Sequence, residues 1–312
     1  MPDVKSMDNI DIIIPEPLRP GDTVSLISPS YFIEKEKVER AELFLEQWGL
    51  KVKRGKNLLK KYGPFAGTDE ERVHDLQEAL DDSSVKAVFC SRGGYGLLRI
   101  IDRIDFSGLR VHPKWFIGYS DITVLHLWIS KFCGVVTLHA EMPVHFGSSE
   151  KSPVSFSTLR EALFEGRVSL QWEGRTSGST EAEGILTGGN LSLLYSLMGT
   201  PGEPDTGGKI LFIEDDGEYY HGIDRMLTSL RLAGKLENLA GLVVGGMTGI
   251  QEGRMPWGRT IRETVSDIVK KYNYPVFFDC PAGHIYDNRA LMMGCKAKLA
   301  VKGPQITITF RG

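Results

Sequence analysis

Cysteine is scarce in this sequence. The four present, Cys90, Cys133, Cys280 and Cys295, include no closely spaced pair. A disulfide-stapled secreted fold and a structural zinc site are therefore both unexpected. Long apolar runs are missing too, and no stretch approaches the roughly 20 uncharged residues that a bilayer-spanning helix needs. The opening residues, MPDVKSMDNIDIIIPEPLRPGD, hold acidic side chains where an export signal has a basic region followed by an apolar one. Net charge is small, at −3, which removes any general attraction to nucleic acid or acidic lipid. The one basic stretch, Lys51 to Lys61, interleaves six Lys/Arg with Val52, Leu58 and Leu59 and reads as a solvated strand-and-loop edge. These absences predict a cytoplasmic protein whose partners are small molecules or another copy of itself, with no nucleic acid and no membrane.

What is present is ordinary for a globular protein: 41% hydrophobic and 25% charged residues, which argues against disorder or a fibre. A length of 312 residues suits two cores better than one. Strand-like and helix-like segments alternate through the first half. Thr23 to Ser28, Val85 to Cys90, Trp115 to Gly118 and Gly134 to Leu138 are β-rich and apolar. Between them, Val38, Ala41, Leu45 and Trp48 fall on one helical face, and Thr68 with Glu71 forms a capping box ahead of Leu76 and Leu80. Ile122, Leu125, Ile129 and Phe132 give a further helix its inner face. Such alternation predicts an α/β fold with a parallel sheet covered on both faces. Residues 147–184 turn rich in Ser, Gly, Thr and Glu, after which an α/β pattern resumes. The expected division is an N-terminal α/β domain over 1–150, a connection over 151–183 and a C-terminal α/β domain over 184–312.

Four segments have chemical potential. In WFIGYSDITVLHLW an apolar strand ends at Gly118, Ser120 follows two residues later, and a helix begins at once. That is the context of a nucleophile elbow, although serine and aspartate at such a place also serve as plain helix caps. In VFCSRGGYGLLRI a buried strand runs into a glycine turn able to bring backbone N–H groups close to a ligand, or to be nothing more than a turn. In KILFIEDDGEYYHGIDRML four carboxylates, Glu214, Asp215, Asp216 and Glu218, crowd the end of an apolar strand. The pattern does not choose among them, nor between a solvated loop and a metal site without calcium-loop spacing. In PVFFDCPAGHIYDN, His284 lies on a loop six residues beyond the apolar run. Cys280 with His284 lacks a second metal-ligand pair, and neither Cys280 nor Cys90 sits at an elbow. His126 and His139, in apolar surroundings, are expected to be core or supporting groups. Together the segments offer a nucleophile, an acid, a base and a glycine loop at carboxyl ends of strands, in the chain order Ser, acid, His.

The ordered blocks RPGDTVSLISPS, FAGTDEER, SRGGYG, GYSDIT, AEGILTGGNLSLL, ILFIED with IDRML, and PAGH resemble the LD-carboxypeptidases, from about residue 18 to the C-terminus. The resemblance implies an N-terminal flavodoxin-like domain and a C-terminal mixed α/β domain with the site between them. It implies a triad of Ser120, Glu214 (rather than Glu218) and His284, with the backbone N–H groups of Asp121 and Gly94 as oxyanion hole. It implies a cytoplasmic homodimer, using no metal or organic cofactor, that releases terminal D-alanine from an L,D-bond of murein tetrapeptides in peptidoglycan recycling. Relatives that cleave microcins give a second reading, cleavage of a peptide-nucleotide antibiotic, but the stretch after Glu214 is more similar to the recycling enzymes. A silent peptide-binding protein on the same scaffold is a third. A glutamine-amidotransferase-like activity would want cysteine where Ser120 stands.

Overall fold

The computed structural model describes residues 11–311. The first ten residues of the segment read as unlike an export signal lie outside this range. The first sheet is laid down by β1 (Thr23–Ile27), β2 (Lys51–Arg54), β3 (Val85–Cys90), β4 (Trp115–Gly118) and β5 (Thr137–His139). These strands are parallel in the order β2-β1-β3-β4-β5, the doubly wound flavodoxin-like arrangement. Near-continuous apolar strands such as VKAVFC and WFIG fit because both faces are covered. Helices α1 (Lys35–Gln47), α2 (Asp69–Asp81) and α3 (Thr123–Cys133) intervene. The α2 capping box is formed both ways: Thr68 Oγ1 accepts from Glu71 N at 3.3 Å, and Glu71 Oε2 accepts from Thr68 N at 2.9 Å. The basic segment supplies the exposed edge strand β2.

Residues 151–183 contribute α4 (Pro153–Glu165), β6 (Ser169–Glu173), β7 (Thr176–Ser177) and the start of β8 (Glu181–Asn190). Then follow α5 (Leu191–Ser196), β9 (Ile210–Asp216), α6 (Tyr220–Leu232), β10 (Gly241–Thr248), α7 (Ile261–Val269) and β11 (Val276–Phe277). The chain closes with β12 (Leu291–Met293), β13 (Lys296–Lys302) and β14 (Gln305–Arg311). The second sheet has the order β6-β14-β13-β8-β9-β10-β11-β7, with β8 to β11 parallel and the flanking pairs antiparallel. One strand breaks the simple division: β12 pairs antiparallel with β5 and becomes the sixth strand of the first sheet. Among the described residues no helix is long and apolar enough to cross a membrane.

Two strand tips matter for chemistry. β4 ends at Gly118, and β9 carries Glu214 beside Asn190 of β8 in register. The loop after β11 brings His284 to the same region. Carboxyl ends of parallel strands are where α/β folds expose functional side chains, because the flanking helices cover the sheet faces.

Candidate active site

Ser120 has φ of +64°, one of two positive values among the described non-glycine residues. An L-residue there brings Cβ against its own backbone, at a cost of about 1–2 kcal/mol, so surrounding structure must impose it. The imposing elements are β4, which is wholly buried, and the turn Ser120–Ile122 that runs straight into α3. A side chain at Gly118 would come within 2.7 Å of Ile122, so only glycine lets strand and turn meet this closely. His126 fixes the Gly118 carbonyl: its Nε2 donates to Gly118 O at 2.9 Å, while Nδ1 accepts from Thr137 Oγ1 at 2.8 Å. Burial, then the neighbouring His139, pushes the His126 pKa down to about 3, which keeps the ring neutral. Gly93 lies against the serine, since an added Cβ would sit 2.7 Å from Ser120 Cβ and 2.9 Å from Oγ. Gly94 follows with φ of +112°, its α-carbon packed under the Tyr31 ring.

Glu214 is wholly buried, and its Oε2 accepts from His284 Nδ1 at 2.7 Å and from His284 N at 3.2 Å. The other oxygen, Oε1, faces Asn190 Nδ2 at 3.4 Å and His139 Nε2 at 4.0 Å. Gly283, with φ of +111°, lets the histidine loop lie on the carboxylate, because a methyl group there would be 2.7 Å from Oε2. Burial works to raise the Glu214 pKa, but hydrogen bonds and charge from the imidazoles outweigh it and hold the group below its ordinary value. For His284, burial works downward and is outweighed by the bond and charge of Glu214, so its pKa is raised. The two shifts agree: the pair favours imidazolium–carboxylate. With Nδ1 committed to Glu214, Nε2 is the nitrogen free for a substrate proton. The Tyr119 ring, next in chain to Ser120, packs edge-on to His284 with centroids 4.9 Å apart. Among the described residues, no hydrogen bond joins Ser120 to His284.

Residues 24–140 match the LD-carboxypeptidase N-terminal domain, and residues 183–299 match its C-terminal domain. A probable murein peptide carboxypeptidase of Bacillus subtilis (strain 168) is 40% identical over 291 residues, covering 91% of each chain. This chain belongs to the LD-carboxypeptidase family. The crystal structure of a muramoyltetrapeptide carboxypeptidase from Oxalobacter formigenes superposes with a TM-score of 0.85 at 29% identity, over 93% of this chain and 99% of that one. The Microcin C7 self-immunity protein MccF of Escherichia coli is 24% identical over 338 residues, covering 95% of this chain and 96% of that protein. The chain is thus a peptidase of a family that includes murein tetrapeptide carboxypeptidases.

In this LD-carboxypeptidase the other carboxylates after β9 are committed elsewhere. Asp215 accepts from Ser192 N at 2.8 Å, Ser192 Oγ at 2.7 Å and Asn190 Nδ2 at 3.1 Å. Asp216 accepts from Thr248 Oγ1 at 2.7 Å, and Glu218 accepts from Ser192 Oγ at 3.2 Å. Among the described residues, His284 meets Glu214 and not Glu218. Cys90 and Cys280 are wholly enclosed, and burial pushes both thiols far above the range of a reactive thiolate.

Several supporting side-chain contacts carried no signal in the sequence. Asp121, wholly buried behind Ser120, accepts from Ser30 Oγ at 2.6 Å and from Leu97 N at 2.9 Å through one oxygen. Burial pushes its pKa up to about 6. It thereby ties the loop after β1 and the glycine loop to the elbow. Asp121→Ala should leave both donors orphaned and lower stability by about 2–4 kcal/mol, read from the urea unfolding midpoint. Glu141 does similar work for the histidine loop: it accepts from Asn288 Nδ2 at 2.9 Å, while Asn288 Oδ1 accepts from Gly283 N at 2.8 Å. Lys151 pairs with Glu141 at 3.2 Å and donates to Ile285 O at 2.7 Å. Thr123 Oγ1 accepts from Asn190 N at 3.0 Å, joining α3 to the tip of β8.

Proposed function

We propose that Ser120, His284 and Glu214 act as a catalytic triad that releases terminal D-alanine from the L,D-bond of murein tetrapeptides. The observation that supports it most is the 2.7 Å bond from His284 Nδ1 to the buried Glu214, set beside a serine held at positive φ. In this reading His284 Nε2 takes the Ser120 proton as Oγ attacks the scissile carbonyl. Glu214 holds the tautomer and stabilises the imidazolium. The backbone N–H groups of Asp121 and Gly94 receive the oxyanion. His284 then protonates the departing amine, D-alanine leaves, and water repeats the sequence on the acyl-enzyme. Neither a metal nor an organic cofactor enters these steps.

The reading includes a cytoplasmic, homodimeric enzyme that takes free or sugar-linked peptides in peptidoglycan recycling. The domain limits proposed with it are 1–150 and 184–312, joined by 151–183. Incubating the protein with murein tetrapeptide and following products by mass spectrometry tests it: tripeptide and D-alanine should accumulate. An unchanged tetrapeptide would overturn it. Similarity to MccF motivates a second arm with an aminoacyl-nucleotide substrate, whose preferential cleavage would favour the antibiotic-directed reading.

A further inference from the structure

A carboxypeptidase must recognise the free carboxylate one residue beyond the bond it cuts. Consecutive α-carbons lie about 3.8 Å apart, so the group that binds this carboxylate belongs within about one residue's length of the nucleophile. Most cations in this region already have partners. Arg72 is buried, pairs with Asp69 and donates to Pro29 O at 2.8 Å and Gly96 O at 3.0 Å. Arg99 pairs with Asp69 at 2.7 Å. Lys151 is held by Glu141 and Ile285.

Arg92 differs. Among the described residues no carboxylate forms an ion pair with it. Its one hydrogen bond runs from Nη1 to Phe32 O at 3.3 Å, and its guanidinium carbon lies 6.0 Å from the Tyr31 ring centre. Glu34, a carboxylate within range of its charge, is paired with Lys37 at 3.5 Å. Arg92 immediately precedes Gly93, the glycine lying against Ser120. Its charge also reaches the Tyr119 phenol, whose ring packs on His284. The side chain is half-buried, so a charge presented there is less screened than on open surface.

We propose that Arg92 is the anchor for the substrate's terminal carboxylate and so makes the enzyme an exopeptidase selective for peptides with a free acid end. The guanidinium has five N–H donors in a planar fork, and one is in use. Two parallel bonds to a carboxylate match that geometry, and a lysine ammonium would not reproduce them. The assignment rests on the reading of Ser120 as nucleophile.

The test uses binding, so that it separates from turnover. In a Ser120→Ala background, calorimetry should show tetrapeptide acid binding about 10- to 100-fold more tightly than the same peptide as its C-terminal amide. Adding Arg92→Gln, which can keep the bond to Phe32 O, should erase that preference. Arg92→Lys should retain part of it. Equal binding of acid and amide in the parent, or a preference that survives Arg92→Gln, would overturn the anchor. A wild-type protein that prefers the acid yet releases no D-alanine would support the anchor and overturn the hydrolytic reading.

Discussion

Replacing Ser120 with alanine should lower D-alanine release by about 10⁴- to 10⁶-fold, measured as tripeptide formed per enzyme by mass spectrometry. The expected size follows from the proposed role: without Oγ no acyl-enzyme would form, leaving only binding and polarisation of the carbonyl. Turnover within tenfold of wild type would remove Ser120 from the mechanism. Ser120→Gly separates chemistry from stability. Glycine adopts φ of +64° without the Cβ clash, so this variant should be inactive and yet about 1 kcal/mol more stable by urea unfolding. A less stable glycine variant would mean that the serine hydroxyl, and not the elbow's backbone, is what the fold depends on there.

Glu214→Gln should lower kcat by about 10⁴-fold and also displace the pH profile. His284 is raised because the bond and charge of Glu214 outweigh burial. In the wild type the acid limb of kcat/KM, which reports neutral His284, should therefore lie above the ordinary histidine value of about 6.5. Gln removes the charge but leaves the burial, so the limb should move to lower pH. A profile from about pH 5 to 9 on both proteins checks the sign, and an unmoved limb would take Glu214 out of contact with the base. The same pair has a signature in stability. Glu214, held low, contributes above its unfolded pKa of about 4.3 and less as pH falls below that. His284, held high, contributes below about 6.5 and loses that contribution as pH rises through its raised folded value. The pair's contribution should be greatest between those two limits, and Glu214→Gln should flatten it.

The apolar strands β1, β3, β4 and β9, α2 with its capping box, and the chain order of the candidate triad were legible because each rests on local pattern. Other features were not. Ser120 in isolation reads as a helix cap, since positive φ leaves no mark in a sequence. Glu214 was one of four carboxylates within five residues; local pattern did not choose among them, the resemblance pointed to Glu214, and in the structure the Gly283 loop lies on that carboxylate. The long central strand β8 hid behind glycine: EGILTGGN looks like a turn. Its glycines are there because an added Cβ at Gly188 would meet Phe212 O at 2.0 Å, and one at Gly189 would meet Thr123 Oγ1 at 2.5 Å. Close strand packing and loop composition have the same signature in one dimension. The stretch after the glycine loop forms three short 3₁₀ turns between Leu97 and Arg110, too irregular for a periodic pattern to show. The side-chain contacts of Asp121, Glu141 and Lys151 had no pattern to announce them, because their partners are distant in the chain.

The pairing of Leu291–Met293 with β5 has a consequence for biosynthesis. A nascent chain leaving the ribosome exposes the whole N-terminal sheet more than a hundred residues before the strand that covers its border. Through that interval β5 presents unpaired N–H and C=O groups, an invitation to adhere to other incomplete chains. The same late strand lies seven residues beyond His284. Border closure and arrival of the proposed general base therefore fall together in synthesis, and a product truncated before them carries an open sheet edge and lacks His284.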